Sequence, residues 1–148
     1  TSVVNIYGGT FKNNVGIYAQ NTGSATLNLM GGNFDNTNQG YFSGNNYNRV
    51  INVSGKVNIN PMNTKLVFAN GNASGLTTDI IFITGKLDSG ANITLNKESV
   101  EHIISRTKSY IAKGKNYTIT DADVAKFNSD SYTFTLDKTN NAIMATAK

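Results

Sequence analysis

Val4-Asn5-Ile6-Tyr7-Gly8-Gly9-Thr10-Phe11 returns as Leu27-Asn28-Leu29-Met30-Gly31-Gly32-Asn33-Phe34, and again as Ile51-Asn52-Val53-Ser54-Gly55-Lys56-Val57. A weaker fourth copy is Ile81-Phe82-Ile83-Thr84-Gly85-Lys86-Leu87, and successive copies are offset by 23, 24 and 30 residues. Each copy alternates apolar and polar residues, the period of a strand with one buried face. The glycines mark a bend where φ turns positive or two backbones come close.

A repeat of ~20–30 residues built from strands and turns predicts a β-solenoid. At ~3.3 Å per residue, such a length makes three short strands and three turns. A leucine-rich repeat has a similar length, but these copies lack its run of leucines. A β-sandwich also has short strands and regular turns, yet it has no reason to repeat one eight-residue pattern at a near-constant offset. Stacking at ~4.8 Å then predicts three inward columns. They are Val4, Leu27, Ile51 and Ile81; Ile6, Leu29, Val53 and Ile83; and Phe11, Phe34, Val57 and Leu87. Asn5, Asn28 and Asn52 form an outward or turn-proximal column, and Asn13 stacks on Asn36. Side-chain amides carry both a donor and an acceptor, so stacked asparagines bond along the axis. That accounts for the excess of Asn, which numbers 23 in 148 residues. Phe82 interrupts the asparagine column, which predicts that part of the C-terminal segment covers it.

Composition shifts near residue 97, from which eight basic and six acidic residues follow. Residues 1–96 are read as the coils and residues 97–148 as a small C-terminal α+β cap over the open end. Residues 93–95, just before the cap, and residues 101–105 and 117–120 within it read as strand-like. Thr120 reads as the N-cap of a short helix near 121–127, with Val124 and Phe127 inward. Residues 131–146 read as a β-hairpin turning at Asp137-Lys138-Thr139-Asn140-Asn141. Thr1-Ser2-Val3-Val4 runs straight into a full repeat, which leads to the expectation that earlier coils lie upstream in a longer chain. The expected fold is therefore all-β, a solenoid of about four coils with that cap.

Residues 4–14 resemble the coils of right-handed parallel β-helices, the pectin-lyase-like fold, as found in large modular surface proteins of Gram-positive bacteria. Residues 83–95 are similar to the segment that ends such helices, and Phe127-Asn128-Ser129-Asp130 to the stretch before their closing hairpin. The resemblance implies an extracellular, cell-wall-attached setting and adhesin-like or glycan-related roles. Host or bacterial glycans, or a host surface protein, are the partners it implies.

The chemistry is sparse. There is no Cys and one His, which excludes Cys-ligated zinc, disulfides and thiol catalysis, and leaves His102 alone for any imidazole chemistry. No run approaches the ~18 apolar residues of a membrane helix. Before residue 97 the only carboxylates are Asp35, Asp79 and Asp88. Asp35 and Asp88 share a repeat position two coils apart, ~10 Å by stacking. That is a thin acid pair and a poor calcium cluster, so no catalytic residue, metal or cofactor is assigned. Asp121, Asp123 and Asp130 read as helix-start and turn acids, with loose calcium binding as the alternative. His102 reads as a surface residue on a strand. Arg106, Lys108, Lys113 and Lys115 form a basic run around Tyr110, with Arg106, Lys108 and Tyr110 on one strand face. No nucleic-acid motif accompanies the run.

Four tyrosines stand out, Tyr7, Tyr18, Tyr41 and Tyr47. Tyr18 and Tyr41 lie one repeat apart and predict an outward aromatic ladder, with Asn36 and Asn38 beside it. Aromatic faces next to amides suit sugars, since the ring meets C–H groups and the amides bond hydroxyls. Tyr18, Tyr41, Tyr47, Asn36 and Asn38 are thus the candidate ligand-binding residues; the alternative is that the tyrosines fill the core. Two functions follow: a non-enzymatic structural or adhesive module, or a carbohydrate-binding or carbohydrate-cleaving β-helix.

Overall fold

A computed structural model describes residues 2–12, 25–35, 41–42, 49–59, 67–68 and 81–148. The strands in chain order are β1 (Ser2–Ile6), β2 (Thr10–Lys12), β3 (Ala25–Asp35), β4 (Tyr41–Phe42), β5 (Arg49–Ile59), β6 (Val67–Phe68), β7 (Ile81–Leu87) and β8 (Asn92–Thr94). Helix α1 (Lys97–Thr107) and β9 (Tyr110–Gly114) follow, then helix α2 (Asp121–Val124), β10 (Phe127–Asn128), β11 (Tyr132–Asp137) and β12 (Ala142–Ala147). The protein is mostly β. Its main sheet is open and runs β1-β3-β5-β7-β9-β12-β11.

The repeat dictates the first half of that order. β1, β3, β5 and β7 pair in parallel, with Val4 opposite Leu27, Leu27 opposite Ile51 and Ile51 opposite Ile81. Ile6, Leu29, Val53 and Ile83 align in the same way. Leu27, Leu29, Val53, Ile81 and Ile83 are buried. Since each apolar side chain removed from water contributes about 1.5–3 kcal/mol, the columns supply the main stabilisation.

Beyond the glycine bend the third column differs from expectation. Phe11 pairs with Phe34, their rings stacked at 5.0 Å and 4°. Phe34 then lies opposite Ile59, and Ile59 opposite Ile93, rather than Val57 and Leu87. Phe127 completes this column beside Ile93. The cause is an irregularity on each side of β5: register shifts between Leu29 and Gly31 on β3 and between Val53 and Gly55 on β5. Gly55, at φ 65°, permits the extra residue. Val57 and Ile59 sit two residues apart on one face and both are buried, so either fits the alternation.

The closing segment also departs from the sequence reading. Residues 101–105 are helical, not extended. Asn96 caps α1 by accepting from Ser99 N at 2.8 Å, and Val100, Ile103 and Ile104 face the core at helical spacing. Residues 117–120 form no strand. α2 ends at Val124, so Phe127 is not on it but on β10. Thr120 is its N-cap in a reciprocal capping box with Asp123. α1 carries the chain back so that β9 adds in parallel to β7, with Ala112 opposite Ile81. β11 and β12 form an antiparallel hairpin, with β12 on β9. Phe82 is half-buried beside this addition, opposite Lys113, with Lys115 Nζ 5.5 Å over its ring.

Candidate functional site

Two asparagine ladders run along the stack. In the first, Asn52 Nδ2 donates to Asn28 Oδ1 at 2.7 Å, and Asn28 Nδ2 donates to Asn5 Oδ1 at 2.7 Å. The ladder has a direction. It stops at Phe82, where a further amide would have donated, and Asn52 Oδ1 is left buried without a partner among the described residues. In the second, Asn58 Nδ2 donates to Asn33 Oδ1 at 2.9 Å, and Asn128 Nδ2 to Asn92 Oδ1 at 2.6 Å.

Between the ladders lies the glycine corner, and over it an open groove of about 410 Å³. Its floor is Gly8, Gly9, Gly31 and Gly32. Tyr7 and Met30 form one side and Thr10, Asn33 and Asn58 the other, with Lys56 and Asp88 at one end. The glycines have different reasons. Gly9 and Gly32 sit at φ 105° and 101°, which L side chains avoid. A Cβ on Gly31 would lie 2.3 Å from the Tyr7 carbonyl oxygen. A Cβ on Gly8 would meet nothing within 4 Å. Tyr7 is 74% exposed. Asp88 is set by a tight turn in which its N–H donates to the Gly55 carbonyl at 3.0 Å and its carbonyl accepts from Ala91 N at 2.9 Å. The Lys56 stem lies over that turn, its Cε 2.8 Å from where a Gly90 Cβ would sit. The groove thus gathers an aromatic ring, two amides, one cation and one anion around backbone glycines.

The residues singled out by sequence distribute differently. Tyr18, Tyr47, Asn36 and Asn38, like Asn13, lie outside the described residues. Tyr41 is on β4, its backbone opposite Val67, and Phe42 is opposite Phe68. By backbone register Asp35 on β3 is opposite Lys12, whereas Asp88 follows β7 with its N–H on the Gly55 carbonyl, so the two residues do not share a register position. His102 lies on α1, not on a strand. The basic run does not line one strand face. Arg106 is on α1, and Lys108 is its left-handed C-cap at φ 57°. Lys113 and Lys115 turn onto the rings of Tyr110 and Phe82, at 5.6 and 5.5 Å. The sequence reading missed Lys56, Asn33 and Asn58 as neighbours of Tyr7. The legible signal was that Tyr7 and Lys56 flank glycines of the same repeat corner.

Two acids of the closing segment, Asp123 and Asp137, are tied into its hydrogen bonds. Asp123 is 1% exposed, and its carboxylate accepts from Leu87 N (3.0 Å), Thr120 N (2.9 Å), Thr120 Oγ1 (2.8 Å) and Tyr117 OH (2.9 Å). Burial pushes its pKa up, but these hydrogen bonds outweigh it and hold the carboxyl below the usual range. Asp137 is likewise held low, by hydrogen bonds from Asn140 and Tyr110. Asp121 has Lys138 Nζ at 4.0 Å. Among the described residues no three His, Cys, Asp or Glu side chains gather as a metal site. No protein-family model, curated protein or solved structure matches the chain.

Proposed function

We propose that the chain is a right-handed parallel β-solenoid module with a small C-terminal cap, belonging to a bacterial cell-surface protein. Its work is mechanical and adhesive, not catalytic: a stiff stack that holds binding surfaces away from the cell. The observation that carries this reading is the parallel register at repeat offsets, in which Val4, Leu27, Ile51 and Ile81 succeed one another strand by strand. Support also comes from β3 and β5, each bent at a glycine corner and each followed by a short strand of the β4–β6 pair, as winding coils require.

Cysteine pairs test the winding, because the chain has no native Cys. Neighbouring strands place equivalent Cα atoms within disulfide range. Asn5→Cys with Asn28→Cys, and Asn28→Cys with Asn52→Cys, are expected to cross-link on mild oxidation. Asn5→Cys with Asn52→Cys is not. Equal cross-linking of all three pairs would remove the stacked-coil reading.

The second reading, a carbohydrate-binding surface with host or bacterial glycans as ligands, is favoured by the groove at Tyr7. A glycan array probed with the full chain, and with Tyr7→Ala and Asn58→Ala, decides it. Signal lost in both variants supports a glycan site in the groove. No signal, or signal indifferent to both changes, leaves the scaffold role alone.

A further inference from the structure

Resting on the solenoid reading above, we infer that the edge of β1 left unpaired among the described residues is a docking site for one further parallel coil of this same chemistry, one whose strand reads apolar–Asn–apolar before a glycine bend. Three separate observations define the occupant.

The first is the space at Gly8. Along the stack, the residue before each bend places its carbonyl over a glycine of the next coil. Tyr7 O lies 2.3 Å from the Cβ position of Gly31, and Met30 O lies 2.5 Å from that of Gly55. Gly8 is the repeat equivalent of Gly31, yet nothing stands within 4 Å of its Cβ position and its φ is not in the left-handed region. Nothing within the described structure requires a glycine there. A strand on the open side of β1, in the relation that β3 bears to β5, would set its carbonyl over Gly8 and require one.

The second is the direction of the asparagine ladder. Each amide donates toward the N-terminal strand, so Asn5 Oδ1 is already used by Asn28 while Asn5 Nδ2 has no partner among the described residues. The next residue outward must therefore present an acceptor, as the Asn of a same-pattern coil does. A second copy meeting β1 edge to edge would present Asn5 Nδ2 to Asn5 Nδ2, donor against donor, which disfavours self-pairing at this edge.

The third is the state of the columns. Leu27, Leu29 and Phe34 are 2%, 2% and 1% exposed, whereas their outer neighbours Val4, Ile6 and Phe11 are only half-buried and Val3 is 56% exposed. Among the described residues the apolar columns end uncovered at an unpaired strand edge, which favours addition of a strand.

The test uses the full chain, isotope-labelled for NMR, and a synthetic peptide copying residues 25–35, whose Asn28 would supply the acceptor and Met30 the carbonyl. Shifts confined to β1, the Gly8–Gly9 bend and the Asn5 side-chain amide are expected. The Asn5 amide should also gain protection from solvent exchange. Gly8→Val in the chain is expected to weaken binding at least tenfold while leaving the fold intact, because its side chain meets only open space in the free protein. An Asn28→Leu peptide should weaken binding similarly. Shifts elsewhere, no shifts at millimolar peptide, or indifference to Gly8→Val each overturn the proposal. So does concentration-dependent growth in mass of the chain alone that Gly8→Val abolishes, since the edge would then serve copies of this chain.

Discussion

The stacked half and the closing half hold themselves together by opposite means. In the stack, the same residue types meet their like on neighbouring strands: Leu on Val, Phe on Phe, Asn on Asn. Each contact is modest, and its strength comes from being repeated. In the closing half, single side chains tie unlike elements. Asp123 joins β7, the loop before α2 and the capping box. Asn141, at φ 48°, accepts from Ile119 N and donates to the Tyr117 carbonyl, both at 2.8 Å, while its own carbonyl accepts from Gly114 N. A repeated structure shares its load among equivalents, whereas a segment of unlike elements concentrates it in a few satisfied polar groups.

The largest expected effect breaks the concentrated side. Asp123→Ala strands four donors at a buried position and is expected to cost about 3–5 kcal/mol in urea denaturation. A loss under 1 kcal/mol would mean the latch is not one. The sign with pH follows from the lowered carboxyl. Because its folded pKa lies below the unfolded value of about 3.9, its stabilisation is complete above that value. It is lost as pH falls through the folded pKa. Asp123→Asn should therefore flatten the acid limb of the stability curve and leave the neutral limb parallel to that of the parent chain. Identical acid limbs would assign that dependence to other carboxylates.

A smaller effect is expected in the stack. Asn28→Ala removes one donor bond and one acceptor bond from the ladder, and about 1–2 kcal/mol with them. Hydrogen exchange should show the loss confined to β1, β3 and β5. Spread into β9–β12 would contradict the nearest-neighbour picture.

The smallest change sharpens the boundary between the two halves. Phe82→Asn restores a donor to Asn52 Oδ1 while giving up a half-buried ring. It is expected to be more stable than Phe82→Ala by about 1 kcal/mol, the worth of one hydrogen bond. Equal stabilities would show that the orphaned oxygen carries no penalty.

Legibility in the sequence divided along the same line. The pairing of β1, β3, β5 and β7 was readable because alternation and the glycine that follows it in each copy specify register together. It failed beyond the corner, where Gly55 admits an extra residue and a slip of two keeps every side chain on its face. α1 was misread because Ile103 and Ile104 favour strands locally. Its true signals were the Asn96 cap and the Val100–Ile103–Ile104 spacing, which burial against the sheet then enforces. The role of Asp123 depends on Leu87, 36 residues away, and no local pattern carries that. Of the candidate site, the aromatic-plus-amide chemistry was readable from composition, but which tyrosine meets which asparagine depends on the folded corner.

The hydrogen bonds of the parallel ladders point along the axis on which strands are stacked. A pull applied between the two ends of that axis therefore loads the ladders in tension, one strand boundary at a time, instead of shearing many bonds at once. Under such a pull the stack would open like a zipper from whichever boundary is weakest, and re-close by the same path when slack returns. For the scaffold proposed above, the stack stays stiff up to the force at which its weakest strand boundary parts.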